Sequence, residues 1–221
     1  ISGTAGLVPV PARAEVAPRL YDRARLVAVH GAPLKARAVV AETNYVFHYP
    51  FVGTPCFLLN LGRPVAGATT LRRDDGTTYA WGGGVGPARG IVAFSAICAH
   101  KLAYPTRDVS FIRYQPQRSA TSEARVIHCC ADHSVYDPAS GARVLAGPAP
   151  QPLAAILLEY DAATDELAAL GTVGAEQFDA FFTKYEFKLA LDHGQGRARR
   201  SVGASAVVRE LAQYCKQTIR C

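Results

Sequence analysis

Short apolar runs, each closed by a turn residue, constrain this chain more than any other feature. Val39-Val40, Tyr45-Val46-Phe47, Cys56-Phe57-Leu58-Leu59-Asn60-Leu61, Ile91-Val92-Ala93-Phe94 and Val126-Ile127 are rich in β-branched and aromatic side chains, and Gly, Pro, Asn or Asp bounds each. Runs this short suit strands of roughly 4–8 residues better than helices of roughly 10 or more. Nineteen glycines and fourteen prolines supply the turns such a fold needs. Residues 155–160 and 166–170, joined by Asp161-Ala162-Ala163-Thr164-Asp165, read as a β-hairpin. An apolar stretch at 26–29 is also strand-like. The expectation is an all-β sandwich or barrel. The glycine loop from Gly82 to Gly90 lacks the Lys-Ser/Thr of a phosphate loop and the spacing of a dinucleotide fingerprint, so it reads as a turn.

With 221 residues, 49% hydrophobic and 19% charged, the chain can bury a sizeable core as one domain with extensions or as two small ones. The net charge of +6 and pI near 9.1 favour acidic partners. Arg197, Arg199 and Arg200 carry no interleaved aromatics, which argues for a solvated basic segment and against nucleic acid. Residues 1–10 are small and apolar and lead into Ala12 and Ala14, an A-x-A pattern. Residues 1–20 are therefore expected to be a signal-peptide remnant or N-terminal arm, and the protein to be exported to the periplasm, by a Tat-type signal. Any membrane association would come through an upstream segment, because no run reaches the eighteen or so apolar residues of a spanning helix. The aromatic-rich stretch 175–191 fits a helix followed by an extended piece. A Gly/Arg linker at 194–203 precedes 207–219, where helical spacing predicts a short amphipathic helix. Residues 175–221 read as a docking extension for a partner.

Two fragments carry metal-ligand chemistry: Cys98-Ala99-His100, and Cys130-Ala131-Asp132-His133 some thirty residues on. Each follows a predicted strand, so each can occupy a loop at one end of a sheet. Thiolates with imidazoles suit zinc or iron–sulfur chemistry. A zinc finger more often pairs two cysteines and then two histidines, whereas here each loop offers one of each. Cys129 adjoins Cys130, and three and two residues respectively separate them from His133. His128 reads as a strand-end histidine. Among the remaining thiols, Cys56, Cys129, Cys215 and Cys221, the pair nearest in sequence is Cys215 with Cys221.

The second fragment runs on into Ser134-Val135-Tyr136-Asp137-Pro138 and then Gly147-Pro148-Ala149-Pro150. From about Ser95 to Gly171 the chain resembles the Rieske iron–sulfur proteins. That resemblance implies a [2Fe–2S] cluster held by Cys98, His100, Cys130 and His133, and tuned by Ser134, Tyr136 and Pro148. It also implies a three-layer antiparallel β domain at 21–174, with an inserted cluster-binding subdomain comprising loops 98–104 and 129–137 and a proline loop at 147–152. Two features depart from the family. Ala103 and Asp132 stand where many members place a disulfide between the loops. Ser134 directly follows His133, whereas the family serine comes two residues after its second histidine.

Tyr49-Pro50, Pro55-Cys56, Gly84-Val85-Gly86-Pro87 and Leu157-Leu158-Glu159-Tyr160-Asp161 resemble the small subunit of arsenite oxidase and its relatives. Residues Gly147 to Pro150 are equally similar to the branch found in cytochrome bc complexes. The implied role is one-electron transfer between a larger redox subunit, molybdenum-containing in the arsenite oxidases, and a cytochrome-type acceptor. A quinol-oxidising subunit and a structural zinc module are the alternatives.

Overall fold

The computed structural model describes residues 15–221. Residues 1–14, with the A-x-A pattern, lie outside the described residues. The structure is mostly β, with a small helical part near the C-terminus. Its base is an eight-stranded sheet formed from β1 (Arg19–Val27), β2 (Tyr45–His48), β3 (Pro55–Asn60), β6 (Ile91–Ser95), β12 (Ala155–Asp161), β13 (Glu166–Val173), β14 (Ser205–Val207) and β15 (Arg209–Glu210), in the order β14-β1-β13-β12-β6-β3-β2-β15. The hairpin β4 (Thr69–Arg72) with β5 (Thr78–Trp81) stands beside it. The predicted hairpin is β12–β13, in register from Ala155↔Val173 to Asp161↔Glu166 across one irregularity at Leu157/Leu158. Val39-Val40 form no strand. A 3-10 turn, Ala36–Ala38, ends there, with Val39 buried and Val40 exposed.

A subdomain occupies the chain between two neighbouring base strands. β6 and β12 meet at Phe94↔Ala155, and between them the chain builds a four-stranded sheet, β11-β10-β9-β8, from β8 (Ile112–Gln115), β9 (Val126–Cys129), β10 (Ser134–Asp137) and β11 (Arg143–Ala146). The insertion expected within a larger base is present. Phe57, Phe94, Trp81, Tyr114, Ile127 and Tyr136 form one core continuous through base and insert, so the two share a hydrophobic interior.

The C-terminal segment is not a separate extension. β14 pairs with β1, β15 with β2, and β16 (Gln217–Thr218) with β7 (Val109–Ser110). The expected helix over 207–219 shrinks to one turn, α3 (Leu211–Tyr214), because sheet-edge N–H and C=O groups on β1, β2 and β7 recruit the backbone on either side. Residues 175–191 form two helices, α1 (Phe178–Lys184) and α2 (Glu186–His193), where a helix followed by an extended piece was expected. Phe178, Phe181, Phe182 and Leu189 bury their side chains against Ile97, Leu102 and Tyr104 of this same chain, which satisfies most of the apolar surface expected to seek a partner. Arg19 and Leu20, assigned to an N-terminal arm, instead open β1 opposite Thr172 and Gly171.

His48 on β2 ties this C-terminal region to the base. Its Nε2 lies 3.4 Å from the Tyr214 hydroxyl, and its ring 6.2 Å from that of His193. Burial, and then the positive charges of His193, Arg209 and Arg107, lower its pKa to about 4. Above about pH 6.5 neither folded nor unfolded His48 is protonated. Between about 6.5 and 4 the unfolded state takes up a proton that the folded state refuses, so stability falls as pH falls. Urea denaturation should show about 2–3 kcal/mol less stability from this group at pH 4 than at pH 7. His48→Gln should flatten that part of the profile, and an unchanged profile would contradict the assignment.

Candidate metal centre

Both sequence-selected loops stand at one end of the inserted sheet. The first leaves β6 and turns at once: Cys98 N–H donates to the Ala103 carbonyl at 2.8 Å, and Leu102 N–H to the Cys98 carbonyl at 3.0 Å. Leu102 adopts a left-handed φ of +59° to close that turn. The second loop joins β9 to β10, which pair at Cys129↔Ser134. Its closing bond runs from His133 N–H to the Cys129 carbonyl at 2.7 Å, and His133 takes the left-handed φ of +59°. Gly147, at φ +84°, presses against this turn. A Cβ there would lie 2.3 Å from the His133 carbonyl oxygen, so only glycine admits the approach. Through Gly147 the proline-rich loop covers the second ligand loop, while Pro148 itself is exposed.

These turns bring together Cys98, Cys129 and Asp132, whose ligand atoms all lie within 4.8 Å of one another. Asp132 Oδ2 is 3.3 Å from Cys98 Sγ and 3.1 Å from His100 Nδ1. Asp132 Oδ1 accepts the Ser134 N–H at 2.9 Å. The Asp132 side chain is 2% exposed and that of His100 35%, so the imidazole forms the outer edge of the cluster. Tyr136, fully buried on β10, places its hydroxyl 3.3 Å from Cys98 Sγ and accepts the Ala99 N–H at 3.1 Å.

Two of the expected ligands are elsewhere. Cys130 cannot supply the second thiolate, because its sulfur is bonded to Cys221 at 2.09 Å. Strand alternation explains the exchange: Cys129 ends β9 facing the interior, and its neighbour Cys130 points the other way. The Cys215–Cys221 pairing therefore does not form, and Cys215 is a buried thiol donating to the Thr106 carbonyl at 2.8 Å. His133 turns its ring to His128, with centroids 5.7 Å apart. His128, His133 and Cys221 lie together, but the sulfur in that group is spent in the disulfide. No disulfide joins the two loops among the described residues, and the Asp132 carboxylate stands between them instead.

The electrostatics follow from that crowding. A hydrogen bond from Cys129, with smaller help from Tyr136 and from the backbone at His100, holds the Cys98 thiol below its ordinary pKa despite burial. Cys129, as the donor in that bond and itself buried, is pushed up. Burial pushes the Tyr136 phenol up, which keeps it a donor. Burial also raises the Asp132 carboxyl, but hydrogen bonds led by the Ser134 N–H outweigh it, and the carboxyl stays below the usual range. Were Cys129 ionised as well, two thiolates and a carboxylate this close would require positive charge among them. A metal supplies that charge, and the donor set suits one: two soft thiolates, one imidazole and one carboxylate oxygen. The Ser134 hydroxyl is buried at the same place, beside the Asp132 carboxylate whose charge it helps to hold.

The C-terminal segment supports both loops. Gln177 Nε2 donates to the Ala99 carbonyl at 2.9 Å, and Lys184 Nζ to the Lys101 carbonyl at 2.6 Å. Phe181 packs edge-on to Tyr104 at 4.8 Å. On the other side, Cys221 anchors the second loop through Cys130. These supports lay hidden in the sequence, because contacts over 78 to 91 residues leave no local pattern.

No family model matches this chain. Among solved structures, the chain is similar to the soluble domain of the Rieske protein II (soxF) from Sulfolobus acidocaldarius. The two are 25% identical with a TM-score of 0.48, over 69% of this chain and 78% of that one.

Tyr136→Phe removes one hydroxyl and leaves the buried Ala99 N–H without its acceptor. Loss of a buried partner costs about 1–3 kcal/mol. Urea unfolding should show a loss of that size with the fold retained by circular dichroism. A neutral effect would mean the hydroxyl is not bonded as described.

Proposed function

We propose that this chain is a one-electron carrier built around a [2Fe–2S] cluster of the Rieske type, acting as the small subunit of an exported, arsenite oxidase-like oxidoreductase. The observation that carries the reading is the buried meeting of Cys98 and Cys129 from two loops, with the Tyr136 hydroxyl on one sulfur and His100 at the outer edge. When bound, such a cluster supplies a one-electron couple whose potential depends on ligand charge, burial and hydrogen bonds to sulfur. Tyr136 stabilises negative charge on Cys98 by donating to it, which favours the reduced state. Ser134, buried at the same place, would offer its hydroxyl to the negative charge of a bound cluster. His100 joins the buried interior to the surface, so an electron-transfer partner would dock over it.

The larger subunit, molybdenum-containing, would deliver electrons, and a cytochrome-type protein would accept them. The Tyr49-Pro50, Pro55-Cys56 and 157–161 similarities support that pairing, as does a net charge of +6 for an acidic partner. No helix among the described residues is long and apolar enough to cross a membrane.

A mononuclear metal, zinc above all, is the second reading. Zinc–ligand bonds of about 2.0–2.3 Å imply tetrahedral ligand–ligand edges of about 3.3–3.8 Å, close to the 3.3 Å and 3.1 Å that Asp132 makes with Cys98 and His100. Metal analysis separates the two. Protein purified without oxygen should contain two irons and two acid-labile sulfides per chain and be coloured. Stoichiometric zinc in a colourless protein would overturn the electron-transfer reading.

A further inference from the structure

We propose that the Asp132 carboxylate is the fourth protein ligand of this metal centre, with Cys98, Cys129 and His100, and that His133 is not a ligand. The assignment rests on the metal-centre reading above and gives it a specific ligand set.

The first argument is burial. Asp132 is one of the least exposed carboxylates in the chain, at 2%. A buried anion persists only when paired or coordinated. Among the described residues its ion-pair partner is His100, a group that is neutral whenever it binds metal through Nδ1. The Ser134 N–H and the Cys98 and Cys129 thiols also hydrogen-bond the carboxylate, but the thiol donors lose their protons when they bind metal, and coordination to the cation then takes their place.

The second argument is position. Asp132 Oδ2 already sits beside both a thiol and an imidazole nitrogen that belong to the first loop, and so bridges the two loops at the point where a metal would sit. The spacing is also complete. Cys129-Cys130-Ala131-Asp132 is a Cys-x-x-acid fragment, one residue upstream of the Cys-x-x-His fragment that ends in His133.

The third argument concerns His133. Its N–H is bonded to Cys129, its carbonyl meets Gly147, and its ring packs with His128 beside the Cys130–Cys221 disulfide. The turn is pinned on both sides, and the ring nitrogens group with His128 and Cys221 while Cys98 groups with Cys129 and Asp132. A carboxylate in place of an imidazole makes the site one unit more negative and leaves a single imidazole on the outer metal.

The experiment uses the full chain with ¹⁵N-labelled histidine, and the variants Asp132→Ala, Asp132→Asn, Asp132→His and His133→Gly, the last suited to the left-handed φ. Circular dichroism checks that each folds. Metal content, and electron–nuclear double resonance of the reduced iron form, are read for each. The expected result is one strongly coupled histidine nitrogen in the unaltered protein, kept in full by His133→Gly. Asp132→Ala should weaken metal binding more than about 100-fold, beyond the 10–100-fold loss typical of an outer-shell partner. Asp132→His should restore the metal and add a second coupled nitrogen.

Two coupled nitrogens in the unaltered protein, one of them lost in His133→Gly, would overturn the proposal. So would retention of metal by Asp132→Ala and Asp132→Asn, or a loss of only 10–100-fold. If the unaltered protein holds zinc without iron or sulfide, the electron-transfer reading fails alone, and zinc affinity in the same variants still decides the ligand. Should it hold no metal at all, both fall.

Discussion

Cys98 and Cys129 meet in the interior although they come from loops 31 residues apart, and much of the structure serves to keep them there. Short loops carry little apolar surface of their own, and a buried thiolate beside a carboxylate is costly. The meeting therefore depends on scaffolding from outside the loops. Strand pairing of β9 with β10 fixes the second loop. The first is gripped by α1 and the residue that caps it, through Lys184, Phe181 and Gln177. What an inter-loop disulfide would do in one bond is divided here between the Asp132 carboxylate and the Cys130–Cys221 bond, which reaches from the second loop to the last residue of the chain.

This arrangement explains why the C-terminal segment is woven into the sheet. Strands β14, β15 and β16 each add to an existing edge, so short C-terminal strands cover β1, β2 and β7. The same pairing carries Cys221 to within bonding distance of Cys130. Phe187 and Leu191, on the outer side of α2, remain exposed at 78% and 71% after the rest of the segment has packed inward. Stability and site geometry are thus coupled: loosening the C-terminus would loosen both loops.

Much of the β architecture was legible in the sequence because strand signals are local. The 155–160/166–170 hairpin and the Ile91–Ser95 and Val126–Cys129 strands follow from alternation and turn residues. The C-terminal segment was not legible in that way. The 207–219 stretch has helical spacing, yet edge strands distant in sequence capture it. Cys98 and His100 of the first loop both lie against Asp132. In the second loop, counting Cys-x-x-His selected Cys130 and His133, whereas the fold brings Cys129 and Asp132, one residue earlier, beside Cys98. A clue was present in Ser134, which stands one position too close to His133 but two residues after Asp132. Which of two adjacent cysteines faces inward depends on strand register, and register was fixed only by the pairing of β9 with β8 and β10.

The account's central claim is that Cys129, and not Cys130, faces Cys98. Mass spectrometry of the unreduced, alkylated and proteolysed protein, prepared metal-free, tests it most directly. The account predicts a disulfide-linked peptide pair containing Cys130 and Cys221, with Cys98 and Cys129 recovered as alkylated thiols. Recovery of Cys221 linked to Cys215 or to Cys129, with Cys130 alkylated, would contradict it.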